Sequence, residues 1–159
     1  MTATDAPAKL YLDDLKVGDR FTSASTTLDA AQIKAFASQF DPQPFHLDED
    51  AAAASFFGGL AASGWHTAAL TMRLLVDSVP LHGGLIGAGS EISWPQPTRP
   101  GDRLHVQSEI LDITPSRSKP DRGLVTCQTL TLNQHGEAVQ RSLAKLLAFR
   151  RPPQAQATT

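Results

Sequence analysis

The sequence predicts an α+β fold in which one curved antiparallel sheet wraps around a single long central helix. Three observations predict it. Apolar residues change from helical to two-residue spacing about halfway along the chain. An unusually apolar segment, WHTAALTMRLLVDSV (65–79), lies just before the change, and four long alternating segments joined by short links follow it. At 159 residues the chain fits one domain, expected over residues 10–150 between flexible ends at 1–9 and 151–159.

The elements follow in order. KVGDRF (16–21) reads as a turn delivering a strand, and RPGDRL (99–104) repeats its Gly-Asp-Arg-apolar pattern. Residues 28–39 predict a helix capped by Asp29, with Ile33, Phe36, Ala37 and Phe40 at helical spacing. Pro42 disfavours helical geometry at Asp41 and stops it there. Residues 48–56 predict a second, alanine-rich helix, closed by Gly58 and Gly59. The segment 65–79, opened by Ser63 or Gly64 and ended by Pro80, predicts a helix roughly 22 Å long. Ala68, Leu70, Met72, Leu74, Leu75 and Val76 cover most of its circumference, which predicts burial on all sides.

Strands are expected at 85–94, 103–113, 123–133 and 138–149. Leu104, Val106 and Ile110 share one face of theirs, as do Leu124, Thr126, Leu130 and Leu132. LAKLLAF, at the end of the last, is half helical by propensity alone. One helix against a curved sheet leaves edges uncovered, so a homodimer or higher homo-oligomer is expected.

Composition excludes several function classes. Fourteen Lys and Arg against sixteen Asp and Glu give a net charge of −2, which exerts no long-range pull toward nucleic acid or an anionic membrane. Cys127 is the single cysteine, so no internal disulfide or multi-cysteine metal site forms, and a reducing compartment is the default. The first residues, MTATDAPAKL, carry no apolar run, so a cytoplasmic location is expected.

The chemistry points to FDPQPFHLDED (40–50). Asp41 and His46 stand five residues apart with Pro42 and Pro44 between them, which fixes their relative placement at low entropic cost. A carboxylate–imidazole pair so placed can hold one water between its members and move two protons. Downstream, AASGWHT sets Gly64 at the start of the apolar helix, where its free N–H can bind a carbonyl oxygen that gains negative charge. Base, acid and oxyanion donor together suit the addition of water to a double bond conjugated with a carbonyl, or its reversal.

Here the chain resembles the MaoC-type dehydratases, which include the (R)-specific enoyl-CoA hydratases and have the hot-dog fold. Their motif, Asp-any-Asn-Pro-apolar-His-any-Asp, is met by Asp41, Pro42, Gln43, Pro44, Phe45, His46, Leu47 and Asp48, with Gln43 in place of the Asn. The early turn and strand, the Ser-Gly step before the apolar helix and WPQPTRPGDRL agree with the same layout over residues 10–150. The resemblance implies that Asp41 and His46 are the catalytic pair and that the Gly64 amide polarises a thioester carbonyl, with no cofactor or metal. The substrate would be a 2-enoyl or 3-hydroxyacyl thioester of CoA or acyl carrier protein. Gln43, Ser63 and Trp65 are the candidate substrate contacts, with Trp65 and His66 placed to narrow the acyl channel.

Plainer roles compete. Taken without the resemblance, Asp41 caps a turn and His46 is a satisfied surface histidine. Gly64 serves equally as a helix-cap glycine, and His66 as a packed ring. Asp48, Glu49 and Asp50 favour the start of the alanine-rich helix through its dipole. His82, His105 and His135 have no acidic partners at ligand spacing, and Cys127 is a small core residue. Arg99, Arg103, Arg117, Lys119 and Arg122 offer charge for CoA phosphates, or simply solvate a basic loop. Two other activities remain open: an acyl-CoA thioesterase, for which the apolar helix supplies only Asp77, and a non-catalytic acyl-thioester-binding subunit.

Overall fold

A computed structural model of the chain describes residues 7–155. After a 3-10 turn at Leu12–Asp14 come two short strands, β1 (Arg20–Thr22) and β2 (Thr26–Thr27). The helices are α1 (Ala30–Phe40), α2 (Pro44–Leu47), α3 (Glu49–Ala53) and α4 (Gly64–Ser78). Four long strands complete the fold: β3 (Ile86–Ser93), β4 (Arg103–Pro115), β5 (Arg122–Leu132) and β6 (Ala138–Phe149). The sheet is antiparallel in the order β1-β4-β5-β6-β3, with β2 also paired to β4. The predicted α+β class and antiparallel sheet are what the structure contains.

Capping explains the helix starts. Asp29 accepts from the Gln32 N–H at 2.8 Å while Gln32 accepts from the Asp29 N–H at 2.9 Å, a reciprocal capping box ahead of α1. The Asp41 N–H closes α1 onto the Ala37 carbonyl. Pro44 then opens α2, where the sequence suggested only a turn; proline suits a first helical position because it has no N–H to leave unpaired. Asp48 accepts from the Ala51 N–H at 2.7 Å and starts α3, which ends at Ala53 rather than running on to residue 56. Both Gly-Asp-Arg turns depend on a left-handed glycine, with φ +93° at Gly18 and +86° at Gly101.

One packing expectation changes. On α4 the buried side chains are Thr67, Thr71 and Leu74, whereas Met72 and Val76 are 48% and 55% exposed. The sheet of one chain covers one side of the helix, so its apolar circumference is only half used. On β5 the buried face carries Val125, Cys127, Thr129 and Thr131, opposite the face of Leu124, Thr126, Leu130 and Leu132. β6 is strand throughout, because Leu146 and Ala148 enter the core while β5 supplies ladder partners along its length. Tertiary pairing overrides the helical propensity of LAKLLAF.

Residue Leu10 is stitched between the Pro80 carbonyl and the His82 N–H, 2.8 Å from each. Arg150 and Arg151 pair with Asp13 and Asp14 at 2.7 and 2.8 Å. Residues 1–6 and 156–159 of the expected loose ends lie outside the described residues. Among those described, no helix is long and apolar enough to cross a membrane.

Candidate active site

The turn after α1 folds back so that Asp41 and His46 meet. His46 Nε2 lies 3.2 Å from Asp41 Oδ2, and its Nδ1 lies 2.6 Å from the Ala61 carbonyl oxygen. A carbonyl only accepts, so Nδ1 carries a hydrogen. The other ring nitrogen, Nε2, faces the carboxylate, and the His46 and Asp41 side chains are 5% and 16% exposed. The sequence suggested a water between them; in the structure the two groups touch directly.

Gln43 donates from Nε2 to Asp41 Oδ1 at 2.6 Å. Burial works to raise the Asp41 pKa, but the Ser63 hydroxyl, the Gln43 amide and the positive His46 ring outweigh it. The carboxyl is held below its ordinary 3.8.

His46, Gln43 and Gly64 line one cavity of about 500 Å³, walled by Phe45, Phe57 and Trp94. Gly64 is the first residue of α4, so its N–H has no carbonyl one turn back within the helix to bond. A side chain there is sterically barred: a Cβ on Gly64 would fall 2.7 Å from the Trp94 ring. Asp41 lies behind His46 and is not part of the cavity wall.

The other candidates take different places. Ser63 is fully buried, and its Oγ accepts from the Trp65 N–H at 3.2 Å; it caps α4 rather than lining the cavity. Trp65 is 60% exposed and stands edge-on to Trp94, 5.4 Å between centroids, outside the cavity wall. His66 stacks on Phe36 at 4.5 Å, its Nδ1 is buried without a partner, and burial lowers its pKa. It is a packed ring.

Arg99 is spoken for. Its guanidinium donates to the carbonyls of Phe57, Gly59 and Leu60, tying down the loop whose next residue, Ala61, orients His46. Arg122 pairs with Asp121. Among the described residues no group of His, Cys, Asp and Glu is placed to hold a metal.

Three features of the site were not singled out in the sequence: the Ala61 carbonyl, Trp94 and Gln140. A backbone acceptor leaves no mark in a sequence. Gln140, 2% exposed and bonded to Trp94 Nε1 at 2.9 Å, did leave one, because alternation along AVQRSLAKLLAF puts it on the face of Ala144 and Leu146.

The family model described as "MaoC like domain" matches residues 16–131. The uncharacterized protein YdeM of Bacillus subtilis is 34% identical over 128 residues, covering 79% of this chain and 89% of that protein. A 3-hydroxybutyryl-CoA dehydratase of Methylorubrum extorquens is 30% identical over 115 residues, covering 69% of each. The crystal structure of a MaoC-like dehydratase from Rhodospirillum rubrum superposes with a TM-score of 0.89 at 69% identity, covering 90% of this chain and 99% of that one. With its curved antiparallel hot-dog sheet and the motif at Asp41–His46 in the matched region, the chain belongs to the MaoC-like domain family.

Proposed function

We propose that the chain is a hydratase/dehydratase that adds water to a 2-enoyl thioester, or removes it from the 3-hydroxyacyl thioester, by acid–base catalysis at Asp41 and His46. The observation that carries this reading is the 3.2 Å contact between those two groups, at a cavity whose wall includes His46 and the first residue of α4. The 30% identical relative is named for the same reaction class.

In hydration, a water seated beside the Asp41–His46 contact gives up one proton to the pair as its oxygen bonds to C3. The electrons of the double bond move toward the thioester carbonyl, whose oxygen gains negative charge facing the Gly64 N–H. As the enolate collapses, the pair returns a proton to C2. The pair ends with the proton it began with, so no external acid, base or oxidant is consumed. The acyl carrier is CoA or acyl carrier protein.

Neither rival activity gains support. Asp77, the one carboxylate of α4, sits near the helix end, exposed and paired with Arg73 at 3.0 Å. A binding subunit has no need for an oriented imidazole tautomer. Loss of enoyl absorbance when the protein meets crotonyl-CoA tests the reading; absorbance that persists at high protein concentration across chain lengths would reject it.

The unit of function in this reading is a homodimer. β3 pairs with β6 on one side alone, both its faces are exposed, and Ile86, Ile92, Met72 and Val76 present apolar surface around it. Sedimentation equilibrium giving twice the chain mass is the expected result.

A further inference from the structure

We propose that Trp94, held by Gln140, is a partition that sets the length of acyl chain this site admits. The proposal rests on the acyl-thioester reading above and concerns a second cavity that reading does not use.

Two cavities lie end to end along one face of α4. The catalytic one touches Gly64 and Thr67. The second, of about 370 Å³, touches Ala68, Met72, Leu75 and Val79, the next positions along the helix at three- and four-residue steps. On β6 the same handover occurs between Val139 and Gln140. On the β3 side it occurs between Ile92, which lines the second cavity, and Trp94, which lines the first.

Trp94 stands at the junction and touches both of its walls. Its ring lies flush on the α4 backbone, since a Cβ on Gly64 would sit 2.7 Å from Cε2 and 2.9 Å from Cδ2. Across the cleft its Nε1–H donates to Gln140 Oε1 at 2.9 Å, and the Gln140 side chain is itself buried. The indole thus spans from helix to strand with no gap at either contact. A single polar bond fixes its orientation.

The space behind it suits hydrocarbon. Leu75, Val79, Leu85, Ala144 and Leu146 line it, and no charged side chain does. Its polar wall groups are already engaged in part: Thr71 Oγ1 meets Thr131 Oγ1 at 2.6 Å. An acyl chain bound with its carbonyl at Gly64 would run along α4 toward this space and stop at the indole. Short chains fit; longer ones require Trp94 to swing away from Gln140. Trp94 is the specificity-determining residue and Gln140 the positioning residue behind it.

Calorimetric binding of butanoyl-CoA and octanoyl-CoA to the full chain tests this without requiring turnover. Each buried methylene is worth roughly fourfold in affinity. Trp94→Ala is expected to raise the octanoyl-to-butanoyl affinity ratio by about tenfold or more, and Gln140→Leu to raise it by less in the same direction. Thermal melts establish which variants fold; should Trp94→Ala not fold, Gln140→Leu and Trp94→Phe decide. An unchanged ratio in the folded variants would overturn the partition, as would a wild-type protein that already gains the full methylene increment or binds neither ligand. Hydration of crotonyl-CoA and 2-octenoyl-CoA is followed in parallel. A shifted binding ratio with no hydration of either would sink the proposed reaction while leaving the partition standing.

Discussion

The imidazole of His46 is clamped between two oxygens: the Ala61 carbonyl at 2.6 Å from Nδ1 and the Asp41 carboxylate at 3.2 Å from Nε2. The first contact places a hydrogen on Nδ1, and the second sets Nε2 against the carboxylate. The chemistry expected of the site follows from that arrangement, and so do the effects of disturbing it.

Removing either member leaves the site without a proton relay. Asp41→Asn or His46→Gln should lower enoyl-CoA hydration by roughly 10²–10⁴-fold. Circular dichroism should show the fold intact, since α1 ends on a backbone bond and not on the Asp41 side chain. Near-normal turnover in both variants would remove the pair from the mechanism.

Gln43 tunes the carboxylate. Its amide is one of the donors that hold Asp41 below 3.8 against the opposing effect of burial, so Gln43→Leu should raise the Asp41 pKa. The acid limb of the kcat/KM–pH profile then moves to higher pH. An unmoved limb would mean that the amide does not act on the ionisation that limits the rate.

The same shift links folding to acidity. Because the folded Asp41 pKa is depressed, its contribution to stability is full above the unfolded value near 3.8 and is lost as pH falls through the folded value. Denaturant titrations below about pH 4 should show wild type losing stability more steeply than Asp41→Asn. Parallel curves would contradict the depressed value.

Gly64→Ala forces a methyl group into the Trp94 ring. Overpacking of this kind costs about 1–3 kcal/mol, and the melting temperature should fall accordingly. Adding Trp94→Leu should recover much of that loss, because the clash is with the indole. A double variant no more stable than Gly64→Ala alone would show that the strain lies in the backbone.

Arg99 is a brace whose loss should be felt at a distance. Arg99→Met leaves the Phe57, Gly59 and Leu60 carbonyls without their charged donor, at about 1.5–3 kcal/mol for such bonds and about 5–10 °C in melting temperature. Since Ala61 follows directly and aligns His46, kcat should drop along with stability. Lys at the same position restores charge but not three-way bonding, and should rescue only part.

The amino-acid sequence by itself determined most of the elements and the candidate chemistry, because both are encoded locally. Two-residue alternation gave the four long strands, Asp29 and Gln32 the start of α1, Pro42 its end, and the spacing of Asp41 and His46 the catalytic candidate. Only the tertiary structure decided which face of β5 is buried, that Met72 and Val76 stay exposed on α4, and that Arg99 binds carbonyls instead of phosphate. It also decided that the Ala61 carbonyl sets the His46 tautomer and that Trp94 bridges Gly64 to Gln140, residues 76 positions apart along the chain at the ends of that bridge. Those outcomes turn on backbone groups and on contacts between residues distant in sequence. Side-chain periodicity carries no information about either.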